Sequence, residues 1–283
     1  GQAQRMLAAA AAHPGQKVLI GFQWSFSAAM LAFKRQILDG FWGRPQSIKA
    51  IVKWPRAFSY YKRNDWAGRL RDSAGNFVGD SVLSNATAHY LHNPLFMLGG
   101  ALDESAEPSR IEAECFKAFD IETFDTAFVK LAVPCAAGAE TDVFIAVSHC
   151  TESTAEPYVE YEFENGIVRC AGDDRLQGSL RGEEVKFGVI GGGLEGYYNK
   201  MISLYRCVNG LEEPPCTVST AVPELAVANA VLERFPAVRF NTSSVEECTA
   251  PLKELRLKVN GLDAVMLECY QKSQLPSQLA MKL

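Results

Sequence analysis

The stretch TDVFIAVSHCTESTAEPYVEYEFENGIVRCAG, residues 141–172, reads as strand following strand with no helix between them. Val, Ile, Tyr and Phe dominate each run, and short polar turns separate the runs. The same texture extends back to SRIEAECFKAF (109–119) and TFDTAFVKLAVP (123–134), and forward to LQGSL (176–180) and EEVKFGVI (183–190). Successive strands without intervening helices imply an antiparallel meander.

Helical patterns flank this meander. Upstream, AQRMLAAAAAH (3–13) reads as a helix and KVLIGF (17–22) as a short strand, apolar throughout as in a buried parallel sheet. SFSAAMLAFKRQILDG (25–40) comes next as an amphipathic helix, with Ser25 or Ser27 as its cap and Gly40 as its stop. QSIKAIVKW (46–54) alternates like a strand. Residues 55–79 form a long polar and aromatic loop, and a helix is expected over about 80–98. Downstream, GLEGYYNKMISLYRCV (193–208) and PELAVANAVLERF (223–235) return to helix, and LKELRLKV with GLDAVMLECYQK adds a strand and a helix. The expected class is α+β: a large, mainly antiparallel sheet with helices on one face.

The 283 residues are 48% hydrophobic and 22% charged, enough apolar content to bury a core. The formal net charge is −5, the pI about 5.5, and Lys and Arg form no block. Nucleic acid and anionic membranes are therefore poor partners. No apolar run reaches the roughly 18 residues of a transmembrane helix. Eight cysteines without any C-x-x-C pair read as free thiols of a reducing cytoplasm. Gly1 opens directly onto helix-like sequence with no Met, which suggests a purification scar before part of a longer protein.

The expected helix at 80–98 carries a polar seam. Ser81, Asn85, His89 and His92 share one helical face, while Val82, Leu83, Leu91 and their neighbours are apolar. A near-neutral imidazole suits proton transfer, so His89 is a candidate base and Asn85 could orient it. The bland reading is a hydrogen-bonded core histidine. His92 either packs beneath the loop or lines the same site as Ser81. An H-x-x-H metal pair has no third ligand in view. Tyr60, Tyr61, Arg63, Asn64, Trp66 and Arg69 of the loop mix aromatic faces with polar donors, as sugar-like ligands require, though the aromatics would equally make a hydrophobic clamp. No role is assigned to His13 or to His149-Cys150.

Gly191–Gly196 fits G-x-G-x-x-G, but the preceding strand ends an antiparallel run, and VNGLEEPPC supplies no second parallel strand. The glycines read as a tight sheet-to-helix turn.

The ordered set KVLIGF, SFSAAMLAFKRQILDGFWG, QSIKAIVKW, the N-x3-H helix, the meander, and YYNKMISLYRC with CTVSTAVPELAVANAVLE resembles the glucose–fructose oxidoreductase/inositol dehydrogenase (Gfo/Idh/MocA) family. The likeness covers about residues 3–235 and lacks the first part of the family's Rossmann domain. It implies a remnant of a dinucleotide-binding domain at 1–24 and a substrate-binding and oligomerisation domain at 25–283. In that family a D-x3-H-x2-D helix provides the proton-transfer histidine. Here His89 takes its place, while Asn85 and His92 replace both acids. The turn Gln23-Trp24-Ser25-Phe26 matches the end of the last Rossmann strand, with Ser25 where arginine is frequent, so Gln23 and Trp24 fall on the cofactor side. The family's E-K-P lysine motif and glycine loop would lie upstream of Gly1.

The resemblance implies the substrate-binding portion of a cytoplasmic NAD(P)-dependent oxidoreductase acting on a sugar, polyol or related compound. NAD or NADP would serve the full-length protein, with none expected on this chain alone. A homo-oligomer through the open sheet face is also implied. The alternatives are a non-catalytic ligand-binding or scaffolding relative and a metal-assisted hydrolase or isomerase.

Overall fold

The structure is a computed structural model and describes residues 1–135, 139–171, 175–191, 193–281 and 283. One mixed nine-stranded sheet dominates it, in the order β8-β7-β6-β5-β1-β4-β3-β2-β9. These strands are β1 (Pro45–Lys53), β2 (Arg110–Lys117), β3 (Thr126–Pro134), β4 (Glu140–Ser148), β5 (Ala155–Phe163), β6 (Gly166–Ala171), β7 (Arg175–Leu180), β8 (Glu183–Val189) and the two-residue β9 (Val238–Arg239). The meander β2–β3–β4 and β5 to β8 is antiparallel, as the strand-after-strand pattern requires. β1 inserts between β4 and β5, parallel to β4 from Ser47↔Asp142 to Lys53↔Ser148. A small hairpin, β10 (Val245–Cys248) and β11 (Arg256–Val259), stands apart.

The helices are α1 (Gln2–Ala12), α2 (Ala28–Leu38), the short α3 (Phe58–Lys62), α4 (Ala88–Met97), α5 (Gly193–Val208), α6 (Val218–Arg234) and α7 (Leu262–Lys272). Ser27 caps α2 by accepting from the Met30 N–H, and Gly40, at φ +72°, lets the chain turn after it. Met30 and Phe33, one turn apart, bury their side chains with Leu91, Leu95, Val227 and Val231 against Val143, Ile145 and Val147 of β4. That is the main core, and it holds α2, α4 and α6 on one face. Alternation in β4 sends Phe144 and Ala146 to the other face, where α7 brings Leu262, Met266 and Cys269. Buried on both faces, β4 reads as a continuous apolar run.

Three local expectations need correction. KVLIGF does not form a strand; its segment has no regular structure and donates from the Ile20 N–H to the Cys216 carbonyl. A lone strand without parallel neighbours has no ladder to join. The helix expected over 80–98 is broken: a π-helical turn at Val82–Ala86 precedes α4. Both the backbone N–H and the hydroxyl of Thr87 donate to the Val82 carbonyl, five residues back, which widens the turn and re-aims α4. The second sheet face is not an open apolar surface. α7 packs over β1 and β4, and beyond it Glu160 pairs with Lys49 and Arg169.

Candidate active site

The residues of the predicted site divide into two groups. The first gathers where the 17–22 segment, a short 3-10 turn at Gln23–Phe26, α4 and α5 meet. His92 is buried; its Nε2 lies 2.9 Å from Ser25 Oγ and 3.9 Å from the Cys216 thiol. The Phe22 ring stacks on it at 3.9 Å between centroids, and Phe96 lies on another side at 5.6 Å. Burial, with smaller contributions from the charges of His89 and Lys34, pushes the His92 pKa down to about 3, so this imidazole is neutral. Its Nδ1 is buried without a partner.

His89 is only half-buried and meets the edge of Phe22 at 5.4 Å. Burial and then the Lys200 ammonium hold it below the ordinary imidazole range. Lys200 comes from α5. Gly21 makes room for it: a β-carbon there would stand 3.2 Å from Nζ. Lys34, buried on α2, donates to the carbonyls of Leu102 (3.2 Å) and Glu104 (2.6 Å) and covers the Phe96 ring. Desolvation lowers its pKa to about 7, although Asp103 and Glu104 oppose the shift.

The second group is the 55–79 loop, which α3 and Asn64 order; the Asn64 side chain accepts from the N–H groups of Trp66 and Ala67. Tyr61 directs its hydroxyl at His149 Nδ1, 2.8 Å away, and Tyr60 meets the same ring edge-on. The Arg63 guanidinium lies 3.6 Å from the Tyr60 ring centroid and 5.1 Å from that of Trp66. His149 is fully buried and held neutral by burial and the nearby Arg56 and Arg63, and its Nε2 has no partner.

Asp80 links the loop to the seam. It accepts from the Gly68 N–H at 2.6 Å and from Asn85 Nδ2 at 2.7 Å. The Asn85 amide thus binds Asp80 rather than the His89 ring. Ser81 uses its hydroxyl in a reciprocal cap with Ser84. Trp24 packs edge-on against Tyr90, and a β-carbon at Gly196 would touch Gln23 at 3.2 Å. The four seam residues therefore do not line one face; His89 and His92 belong to the Phe22 group, and Asn85 and Ser81 to the Asp80 link.

Sequence reading passed over Phe22, Lys200, Cys216 and His149. The first three are far apart in the chain, and only the fold unites them. His149 follows the last residue of β4, where its ring was as open to a turn reading as to a site.

A nicotinamide dinucleotide needs a parallel βαβ unit with a glycine turn to hold its pyrophosphate. The described residues do not fit one. β1 and β4 are parallel but lie far apart in sequence, and the 17–22 segment joins no sheet. The glycine run comes after β8, the antiparallel edge strand, and Gly192 lies outside the described residues. Among the described residues no three His, Cys, Asp or Glu side chains are grouped to hold a metal, and no helix is long and apolar enough to cross a membrane.

No protein-family profile and no curated protein sequence matches the chain. Solved structures do. The WlbA dehydrogenase from Bordetella pertussis, in complex with NADH and UDP-GlcNAcA, superposes with a TM-score of 0.59 at 23% identity, over 82% of this chain and 64% of that one. The UDP-N-acetylglucosamine 3-dehydrogenase GnnA from Acidithiobacillus ferrooxidans gives 0.60 at 14% identity, over 82% and 66%. A putative myo-inositol dehydrogenase from Sinorhizobium meliloti gives 0.54 at 18%, over 81% and 66%. The fold is therefore that of the Gfo/Idh/MocA-type oxidoreductases, as the ordered motifs implied. The chain spans slightly less than two thirds of the length of these structures.

Proposed function

We propose that the chain is the substrate-binding portion of an NAD(P)-dependent oxidoreductase that acts on a sugar, polyol or related hydroxylated compound, with His89 as the base. The observation that carries this reading is the setting of His89: half-buried on α4, edge-on to Phe22, and beside Lys200. A carbinol placed there can give its hydroxyl proton to the neutral ring, and Lys200 can steady the oxygen as negative charge develops. His92, neutral and fixed by Ser25 and Phe22, shapes the wall behind it. Oxidation also needs a nicotinamide, NAD or NADP, which these residues do not cradle, so no hydride step is assigned to them.

The competing reading, a ligand-binding relative without turnover, draws on Asn85, which stands where the family's acid would orient the ring and bonds Asp80 instead. Reduction of NAD+ or NADP+ by the full-length protein decides between them, assayed on a panel of UDP-hexosamine uronates, aldoses and inositols. Turnover on any member supports the enzyme. None on the whole panel, with saturable ligand binding retained, leaves the second reading.

A further inference from the structure

Two buried nitrogens lack a partner where the 55–79 loop meets the end of β4. His149 Nε2 and Arg56 Nε are both sealed from solvent, and neither is hydrogen-bonded among the described residues. The chemistry of the first follows from the other side of its ring. The Tyr61 hydroxyl lies 2.8 Å from His149 Nδ1, its one hydrogen-bond partner among the described residues. That hydroxyl therefore donates, Nδ1 accepts, and the single ring hydrogen of the neutral imidazole sits on Nε2. Both orphans are N–H donors. Native structures rarely bury two unsatisfied donors side by side.

Tyr60 brings the two together. Its ring centroid is 5.3 Å from that of His149 and 5.1 Å from the Arg56 guanidinium. The backbone agrees, since the Arg56 N–H donates to the His149 carbonyl at 3.1 Å. Arg63 joins the group from the solvent side, 3.6 Å from the Tyr60 centroid and donating to the Tyr60 carbonyl at 2.7 Å. Among the described residues, neither guanidinium forms an ion pair with a carboxylate. Asp80, the acid that the Arg63 charge reaches, accepts from the Gly68 N–H and the Asn85 amide instead. Two positive charges and two orphan donors around one tyrosine ring make a receptor for an oxyanion. A water or a neutral hydroxyl could accept from the donors but would leave both charges uncompensated.

Ring contacts join this cluster to α4. The Arg56 guanidinium lies 5.7 Å from the Trp54 ring, Trp54 lies 5.6 Å from Tyr90, and Tyr90 follows His89 in the helix.

We propose that Arg56, Arg63 and His149 bind an anionic group, a phosphate or a carboxylate, that the substrate carries away from its reacting carbinol. This rests on the reading of the chain as a substrate-binding portion and adds to it the charge of the ligand. Tyr61 acts as a positioning residue, because it sets the His149 tautomer.

Titration calorimetry on the 283-residue chain tests the site with a hexose phosphate, a hexuronate and the neutral hexose. At least one anion should bind about 10-fold or more tighter than the neutral hexose, and rising salt should weaken it. The tighter of the two identifies the group as phosphate or carboxylate. Arg63 is exposed, so Arg63→Gln should leave the melting curve unchanged and lower the affinity for that anion about 10-fold. Arg56→Gln and Tyr61→Phe should each weaken the anion and spare the neutral hexose. Equal affinity for the three probes, no binding of either anion, or variants that weaken the neutral hexose as much as the anion would overturn the proposal. Turnover by the full-length protein is read separately. Oxidation of neutral substrates without preference for anionic ones refutes this site and keeps the enzyme. Anion binding without turnover on any substrate refutes the enzyme and keeps the site.

Discussion

His89 and His92 are three residues apart on one helix, yet their surroundings give them different chemistry. His92 is sealed between Phe22 and Phe96 with Ser25 on its nitrogen. His89 is only partly buried, and the Lys200 charge acts on it, so it is the one of the two open to solvent. In the full-length protein His89→Ala should lower kcat by roughly 10²-fold or more with the fold intact; near wild-type turnover would remove it from the mechanism. The pH dependence has a definite sign. A base must be unprotonated to act, and burial with Lys200 lowers the His89 pKa below 6.5. The acid limb of kcat/KM should therefore lie below pH 6.5. Lys200→Gln removes the like charge and should move that limb upward, toward 6.5. A profile unmoved by Lys200→Gln would mean that the lysine does not act on the histidine.

Among the elements, α5 runs over the residues its amphipathic pattern marks, Gly193–Val208, and the strands of the meander lie where alternation places them. Such elements are legible because the information is local. α6 begins at Val218 rather than at Pro223: Thr217 and Thr220 cap each other, and a proline early in a helix removes only one backbone bond. KVLIGF was legible as apolar but not as unpaired, since pairing depends on neighbours elsewhere in the chain. The candidate site was legible at His89 and His92 and not at Lys200, more than a hundred residues away.

α6 also carries a buried carboxyl, Glu224, whose Oε1 has no partner and whose pKa burial raises to about 8. The unfolded chain loses this proton near 4.5, so between about pH 4.5 and 8 it binds fewer protons than the folded protein. This group's contribution to stability therefore falls as pH rises through that window. Glu224→Gln abolishes the dependence. It should raise the melting temperature by several degrees at pH 8 and much less at pH 5. An equal effect at both pH values would show that Glu224 titrates normally.

For the whole molecule, the described residues form a nine-stranded sheet with a core on each face and a separate small hairpin, and no dinucleotide cradle. Titration calorimetry of the 283-residue chain with NADH and NADPH should give weak binding or none. Low-micromolar affinity would require a cofactor site in a different place, and the turn before α5 would be the first to examine. Past α7 the second sheet face carries the ion pairs Lys49–Glu160 and Arg169–Glu160.

The place of β1 has a consequence for how the molecule comes into being. It is the first strand of this sheet in chain order, yet it lies at the centre of the sheet, between partners that begin at Glu140 and Ala155. During synthesis α2 and α4 emerge with no sheet to pack upon, and β1 waits with both edges bare until its partners have been made. Closing loops of that size before any contact repays them is slow. A nascent chain of this design is exposed to mispairing longest at its central strand, where a chaperone would be of most use.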